Sequence, residues 1–286
     1  MYFIRLVSFY NELIKIKSNC ITKQLHEIIS KVWKSEKMPK DWEQSVICPI
    51  YKNKGDKLTC TNYRGIALRC NCYKDFTTIL KNRLEPYAEQ RIGGYQAGFR
   101  KNKSTIDQIF TVKIILEKLW EFDVDVYQLF VDFKQAYDSI NREELYRIML
   151  NFGIPRKLVR LVKVTMDNSA FRVKIQRELT AMAYTTKGLK QGDGLTPLLF
   201  NIALEQVIRN LNVNMSGTLI HKSVQLVAYA DDINIMARTK RDLAKTLQNL
   251  QESTKEIGLQ VNMEKTKMLI QTRRNNPNNN NTRADC

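Results

Sequence analysis

Apolar positions return along this chain at two spacings, and the switch between them marks out its elements. From residue 12 to 35 they recur every three or four places (Leu13, Ile14, Ile21, Leu25, Ile28, Ile29, Val32, Trp33) among basic residues, which predicts an amphipathic helix ended by Pro39. Ser45–Tyr51 reads SVICPIY, a strand leading into the basic turn KNKGDK with Gly55 at its tip, and a second extended piece is expected around Arg64–Arg69. A helix follows over Tyr73–Leu84, stopped by Pro86, and Gly93–Gly94 and Gly98 punctuate a loop. Ile109, Val112, Leu116 and Leu119 form one stripe of a helix from Thr105 to Trp120.

VYQLFVDF (Val126–Phe133) is a strand that runs into a carboxylate, and helices are expected over Arg142–Asn151, closed by Gly153, and Pro155–Asp167, opened by its proline. A β pair is expected across Phe171–Gln176 and Ala181–Thr186, then a helix from Thr196–Pro197 to Asn212, with Thr196 suited to its N-cap. VQLVAYA and INIMART flank Asp231–Asp232 as a hairpin, a helix covers Lys240–Glu256, and Gly258 leads into a short strand. The end, RRNNPNNNNTRADC, is low in complexity and should be disordered. Strands alternating with helices, without internal repeats, predict a layered α/β or α+β fold with acidic residues where strands end.

Charge narrows the class of partner. The 286 residues carry 46 Lys and Arg against 29 Asp and Glu, a net charge of +17. Such a surplus repels itself unless a polyanion lies against it, and a phosphate backbone is the natural one. A membrane partner is not expected, since neither a basic amphipathic anchor nor a spanning stretch is present, and MYFIRLVSFY is broken by Arg5 with no cleavage site. The six cysteines form no paired CxxC set and His26 and His221 stand far apart, so zinc is not expected and the chain reads as intracellular and reduced.

The sharpest chemical feature is Tyr229-Ala230-Asp231-Asp232 between two apolar runs. An Asp pair at a hairpin has an ordinary structural meaning, because Asp tolerates turn conformations. It has a chemical one if Asp132, at another strand end, joins it, since three carboxylates make an all-oxygen site suited to magnesium. Such a site serves nucleotidyl transfer with two ions. GxSxG, Walker A and HExxH patterns are absent.

Several segments, in order, carry a family resemblance. VDFKQAYDSI (Val131–Ile140) resembles the first palm motif of reverse transcriptases, YADD their metal-binding hairpin, and GLKQGDGLTPLLFN (Gly188–Asn201) their Gln-Gly motif. GLQVNMEKTKM (Gly258–Met268) is similar to the lysine-bearing segment that follows. PIYKNKGD, NYRGIAL and QAGFRKNKSTIDQI resemble the fingers blocks of non-LTR, LINE-type retrotransposons, and the set spans residues 38–270. The resemblance implies an α+β fold, the fingers and palm of a right-hand polymerase with an antiparallel palm sheet packed on helices. It divides the chain into an N-terminal helical segment (1–44), fingers (45–125), palm (126–272) and tail (273–286).

The same resemblance implies roles. Asp132 and Asp231 would be the principal ligands of two magnesium ions, with manganese as a substitute, Asp232 beside them and the Phe133 carbonyl lent to a metal. Backbone amides of Ala136 and Tyr137 would face the triphosphate, and the Tyr137 ring would exclude a ribose 2′-hydroxyl; the other reading of Tyr137 is a core aromatic. Gln191 and Gly192 would meet the sugar or triphosphate. Arg64 and Lys52 would hold the triphosphate, with Lys54 a rival to Lys52, and Lys265 would meet the pyrophosphate, with Lys267 its rival. The implied partners are an RNA template, a DNA primer and dNTPs, in a retroelement ribonucleoprotein of nucleus and cytoplasm.

The departures from the family are equally plain. LINE-type relatives continue into a primer grip, a thumb and a cysteine-rich tail, and carry an endonuclease upstream, whereas the resemblance here ends near Ile270; the thumb is therefore read as missing. The alternative reading is a catalytically decayed retroelement fragment that only binds nucleic acid. An RNA-dependent RNA polymerase would favour Gly-Asp-Asp in the hairpin and polar residues that select the 2′-hydroxyl, where Tyr229-Ala230 and Tyr137 stand.

Overall fold

Alternation of apolar runs with amphipathic stretches gives the chain two interleaved units in a computed structural model that describes residues 19–167, 169–211 and 224–272. Leu13, Ile14, the expected helix end at Asn212 and the asparagine tract lie outside the described residues. In chain order the elements begin with α1 (Asn19–Ser35), α2 (Lys40–Glu43), β1 (Gln44–Tyr51), β2 (Tyr63–Leu68), α3 (Asn71–Glu89), α4 (Thr105–Glu121) and β3 (Val126–Val131). The short α5 (Ala136–Ser139) precedes α6 (Arg142–Asn151), α7 (Arg156–Met166), β4 (Ser169–Ile175), β5 (Glu178–Leu179) and β6 (Ala183–Thr185). The chain then forms α8 (Thr196–Asn210), β7 (Val224–Tyr229), β8 (Asp232–Ala237), α9 (Lys240–Glu256) and β9 (Lys267–Gln271).

The first unit takes the chain up to Ile92, Gln135–Leu204 and Glu256–Gly258. Its sheet has β1 between β2 and β4, antiparallel to β2 and parallel to β4, with Ser45 opposite Phe171. The expected pair around residues 171–186 forms between β4 and β6, Phe171 opposite Ala183, and β5 pairs with the far end of β4. Helix α7 shows why this unit holds together. It buries Leu158, Leu161, Val162, Thr165 and Met166, a helical i, i+3, i+4, i+7, i+8 set, and each large apolar chain so buried contributes about 1.5–3 kcal/mol.

Pro86 does not stop its helix: α3 runs on to Glu89 with the proline inside it. An internal proline costs about 3 kcal/mol through the lost N–H and the ring clash. Leu84 and Ala88 on either side of it are fully buried, and their packing offsets that cost where local propensity alone would break the helix.

The second unit takes Gly93–Lys134, Glu205–Lys255 and the chain from Leu259. Its four-stranded sheet runs β7-β8-β3-β9, every neighbour antiparallel. Leu119 of α4 packs with Val126, Val227 and Met236 of the sheet, and Val112, Ile115 and Leu116 close over them. A capping box starts α4: the Ser104 hydroxyl accepts from the Asp107 N–H while the Asp107 carboxylate accepts from the Ser104 N–H. Three of the four expected stripe residues pack on the sheet, and Ile109 does not. Ile109 stays 67% exposed, at the edge of a largely apolar cavity of about 420 Å³ that Val112, Phe130 and Tyr229 also line.

The strand expected directly after Gly258 shrinks to one bridge, Val261 with Phe133. The Thr266 N–H returns to the Asn262 carbonyl and bends the chain, so the paired strand begins only at Lys267, where β9 takes the free edge of β3.

Candidate active site

The hairpin arises because β7 and β8 are apolar runs that pair in full register down to Tyr229 opposite Asp232, leaving Ala230 and Asp231 as a two-residue turn. Ala230 is forced to φ 57°, left-handed backbone that costs an L-residue roughly 1–2 kcal/mol. It is held there by Gln96, the first residue of the QAGFR segment, to which the sequence assigned no role and whose buried side-chain amide bonds both backbone polar groups of Ala230.

Asp132 leaves the end of β3. That strand lies antiparallel to β8, and the last pair of the ladder is Val131 opposite Ile233, with Asp132 and Asp232 the next residue on each chain. Asp132 and Asp231 are half-buried and Asp232 is exposed.

The side chains tell a separate story. Among the described residues, no three His, Cys, Asp or Glu side chains are gathered closely enough to enclose a metal ion. Close carboxylates repel one another, and Asp132 has stronger attractions at hand. Its Oδ2 accepts from the Asn262 amide at 3.1 Å and lies 3.6 Å from the Lys265 ammonium. Lys265 is 68% exposed, so that ion pair is worth no more than about 1 kcal/mol and yields readily to a stronger cation. The donor set itself, carboxylates and carbonyls without sulfur or imidazole, suits a hard divalent ion.

Asn262 was not singled out from the sequence, yet it braces Asp132 twice, its backbone N–H also donating to the Asp132 carbonyl at 2.8 Å. The bridge is completed by the Lys134 N–H on the Gln260 carbonyl, so neither of its bonds uses the buried Phe133's carbonyl, the group assigned to a metal. Deeper in the sheet, buried Asn234 on β8 donates to Gln128 on β3 at 3.1 Å and ties the two carboxylate-bearing strands together. Lys267 lies on β9 opposite Phe130, in a different setting from Lys265.

Apart from Lys265, the residues assigned to the nucleotide fall in the first unit, and Asp138 faces two of them, Gln191 and Lys52. The Gln191 amide donates to its carboxylate at 2.9 Å. Burial raises the Asp138 carboxyl above its usual range, while Gln191 and nearby Lys52 pull it back down. Lys52 also donates to the Thr61 carbonyl, and Lys54 projects from the loop beyond β1. Ala136 is buried, and the half-buried Tyr137 ring packs on Phe200 with centroids 4.6 Å apart. Arg64 is exposed on β2 opposite Ile50.

Gln191 and Gly192 dock on that same strand. The Ala67 N–H donates to the Gln191 carbonyl, and a side chain at Gly192, which sits at φ 102°, would meet the Ala67 carbonyl oxygen at 3.1 Å. The loop before them is fixed by buried Arg142, which donates to the carbonyls of Met166, Thr185, Lys187 and Gly188. Asp193 caps the start of α8 by accepting from the Leu195 N–H and also accepts from the Tyr73 hydroxyl. Thr196, expected to cap α8, instead donates its hydroxyl to the Lys190 carbonyl.

The second unit carries an antiparallel sheet with a carboxylate hairpin, and the first carries a Gln-Gly loop before a helix. Residues 50–278 match the model of the reverse transcriptase (RNA-dependent DNA polymerase) family, and the chain belongs to that family. Its relatives are of the non-LTR kind that the motifs indicated. The transposon TX1 149 kDa protein of Xenopus laevis is 22% identical over 86% of this chain and 19% of its own length. The Pol polyprotein of the type-2 element R2DM of Drosophila melanogaster is 24% identical over 71% and 19%, and the RNA-directed DNA polymerase of that organism's mobile element jockey is 24% identical over 79% and 25%. The chain thus spans a fifth to a quarter of the length of these relatives. In fold it is similar to apo telomerase from Candida tropicalis truncated from its C-terminal domain, with a TM-score of 0.62 at 14% identity over 85% of this chain and 54% of that one. The α+β fold of fingers and palm is therefore the one the motifs implied.

Proposed function

We propose that this chain is the core of an RNA-directed DNA polymerase of a non-LTR retrotransposon, adding dNTPs to a primer 3′-hydroxyl by two-metal nucleotidyl transfer. The observation that carries the reading is the pairing of β3 with the hairpin strand β8 up to Val131 opposite Ile233, one residue short of Asp132 and Asp232. Magnesium, or manganese in its place, held by Asp132 and Asp231 with Asp232 and the Phe133 carbonyl, would activate the attacking hydroxyl and steady the leaving oxygen. Asn262 and Lys265 hold the Asp132 carboxylate in place, and the exposed Lys265 can leave that ion pair to meet the departing pyrophosphate. Tyr137, backed by Phe200, fills the space of a ribose 2′-hydroxyl, while Gln191 with Gly192, Lys52, Arg64 and the Ala136–Tyr137 amides serve the sugar and triphosphate. The net charge of +17 supports an RNA template and DNA primer as partners. So does the likeness to a telomerase from Candida tropicalis in complex with a fragment of telomeric RNA, TM-score 0.58 at 16% identity.

One observation favours a second reading, in which the chain binds nucleic acid without catalysis: the three carboxylates are not gathered into an ion-sized group. Extension of a primed RNA template, with magnesium or manganese, separates the two. Addition of even one nucleotide, lost in Asp231→Asn, supports the polymerase. Tight binding of the primed template without addition under either cation, by a chain that unfolds cooperatively, supports the second.

A further inference from the structure

The side chain of Gln96 is 1% exposed and lies 134 residues from the turn it touches. Its Nε2 donates to the Ala230 carbonyl at 3.0 Å, and its Oε1 accepts from the Ala230 N–H and from the Gly98 N–H, each at 2.8 Å. A primary amide places a donor and an acceptor side by side without any change of protonation, so Asn or Gln can read both polar groups of one residue in this way. The backbone reinforces the contact. Gln96 bridges Ala228 in parallel, the Ala97 N–H donates to the Ala228 carbonyl, and the Ala228 N–H donates to the Tyr95 carbonyl. Gly98 makes the approach possible, because a Cβ there would stand 2.1 Å from the Ala230 nitrogen.

This splint is itself anchored. The fully buried Glu205 carboxylate accepts from the Gly93 N–H and the Tyr95 hydroxyl through one oxygen and from Arg209 through the other. Arg100 donates to the carbonyls of Gly93 and Gln96. Residues 93–100 are thus fixed before they grip the turn, and a rigid splint can impose a conformation that the turn would otherwise leave.

We propose that Gln96 is a positioning residue, which locks Ala230 in its left-handed conformation and so sets the direction in which Asp231 and Asp232 leave the sheet. Without the amide, Ala230 relaxes toward ordinary negative φ and the two carboxylates swing with it. The inference rests on the polymerase reading for its consequence in catalysis, but its structural half stands without it.

The test uses the whole chain carrying Gln96→Met, which keeps the length of the side chain and removes all three hydrogen bonds. Backbone amide exchange of the hairpin, residues 224–237, is followed in metal-free protein, and Mn2+ binding is titrated by electron paramagnetic resonance beside wild type and Asp231→Asn. Hairpin exchange should quicken about tenfold or more while that of residues 142–166 holds, the signature of a local rather than global loss of hydrogen bonds. Mn2+ affinity should fall, and kcat for single-nucleotide addition should fall with the dissociation constant for primed template unchanged. Gly98→Ala, which keeps the amide but pushes its carrier off Ala230, should move each quantity the same way and guards against a Met variant that does not fold. Wild-type exchange and wild-type Mn2+ affinity in either folded variant would overturn the proposal. If wild type and Asp231→Asn bind Mn2+ alike, the metal reading fails, and the exchange data still decide the role of Gln96.

Discussion

Replacing Lys190 with methionine should stabilise the protein at neutral pH and not at alkaline pH. Lys190 is buried, with its Nζ donating to the Thr165 carbonyl at 2.5 Å. Burial, and then the nearby Arg69 and Arg142 guanidinium groups, lower its pKa from 10.5 to about 6, while Asp193 and Asp167 oppose the shift. A base whose folded pKa lies below its unfolded one binds fewer protons folded than unfolded between those two values. Stability therefore rises with pH from about 6 to 10.5, by about 1.4 kcal/mol per pH unit, and the full cost is present below pH 6. At pH 7 the remaining 3.5 units amount to about 5 kcal/mol, and at pH 9 the remaining 1.5 units to about 2 kcal/mol. Lys190→Met removes that cost and leaves the Thr165 carbonyl without its donor, a loss of about 1–2 kcal/mol. The variant should thus lead wild type by about 3 kcal/mol at pH 7 and by almost nothing at pH 9. Urea unfolding followed by tryptophan fluorescence across this range reads the difference directly, and every titration common to both proteins cancels. A stability difference that stays constant from pH 7 to 9 would show that Lys190 remains charged in the fold and refute the reasoning.

Other perturbations have equally definite outcomes. Tyr137→Val should lower discrimination between dNTPs and rNTPs by on the order of tenfold, the effect of reopening space in a packed pocket; unchanged discrimination in an active variant would leave Tyr137 a core aromatic on Phe200 alone. Affinity for primer–template should drop by about a thousandfold between 50 and 200 mM salt if six or more phosphates are neutralised, and Asp231→Asn should leave it intact or slightly tighter; a flat salt response measured by anisotropy would remove nucleic acid as the partner. Pro86→Ala should raise stability by about 1–3 kcal/mol, since it restores a helical N–H and relieves the ring; a lower melting temperature would mean the ring itself fills a packed site.

The sequence exposed those features whose cause is local. The YADD hairpin was legible because apolar runs flank a short turn, and α7 because its buried positions keep helical spacing after Pro155. Pro86 misled because the signal that lets α3 continue is the burial of Leu84 and Ala88, which no neighbouring residue announces. Gln96 and Asn262 were hidden for a related reason. Each is a single polar residue in a loop segment, and its partner lies 134 or 130 positions away. The motifs named the carboxylates; the amides that hold them became visible only when the chain was folded.

The order of the strands also has a consequence in time. Strand β3 ends at residue 131 and lies between β8 and β9, which begin at residues 232 and 267. A ribosome adding roughly 5–20 residues per second therefore needs about 5–20 s to deliver the first partner of β3 and longer to deliver the second. Through that interval Leu129, Phe130 and Val131 wait on the nascent chain with both edges unpaired, as a template for any other strand that arrives. Each new molecule must pass through this vulnerable interval before its second sheet can form. The yield of soluble protein should accordingly depend more on translation speed and on chaperones that shield this strand than on the stability of the finished fold.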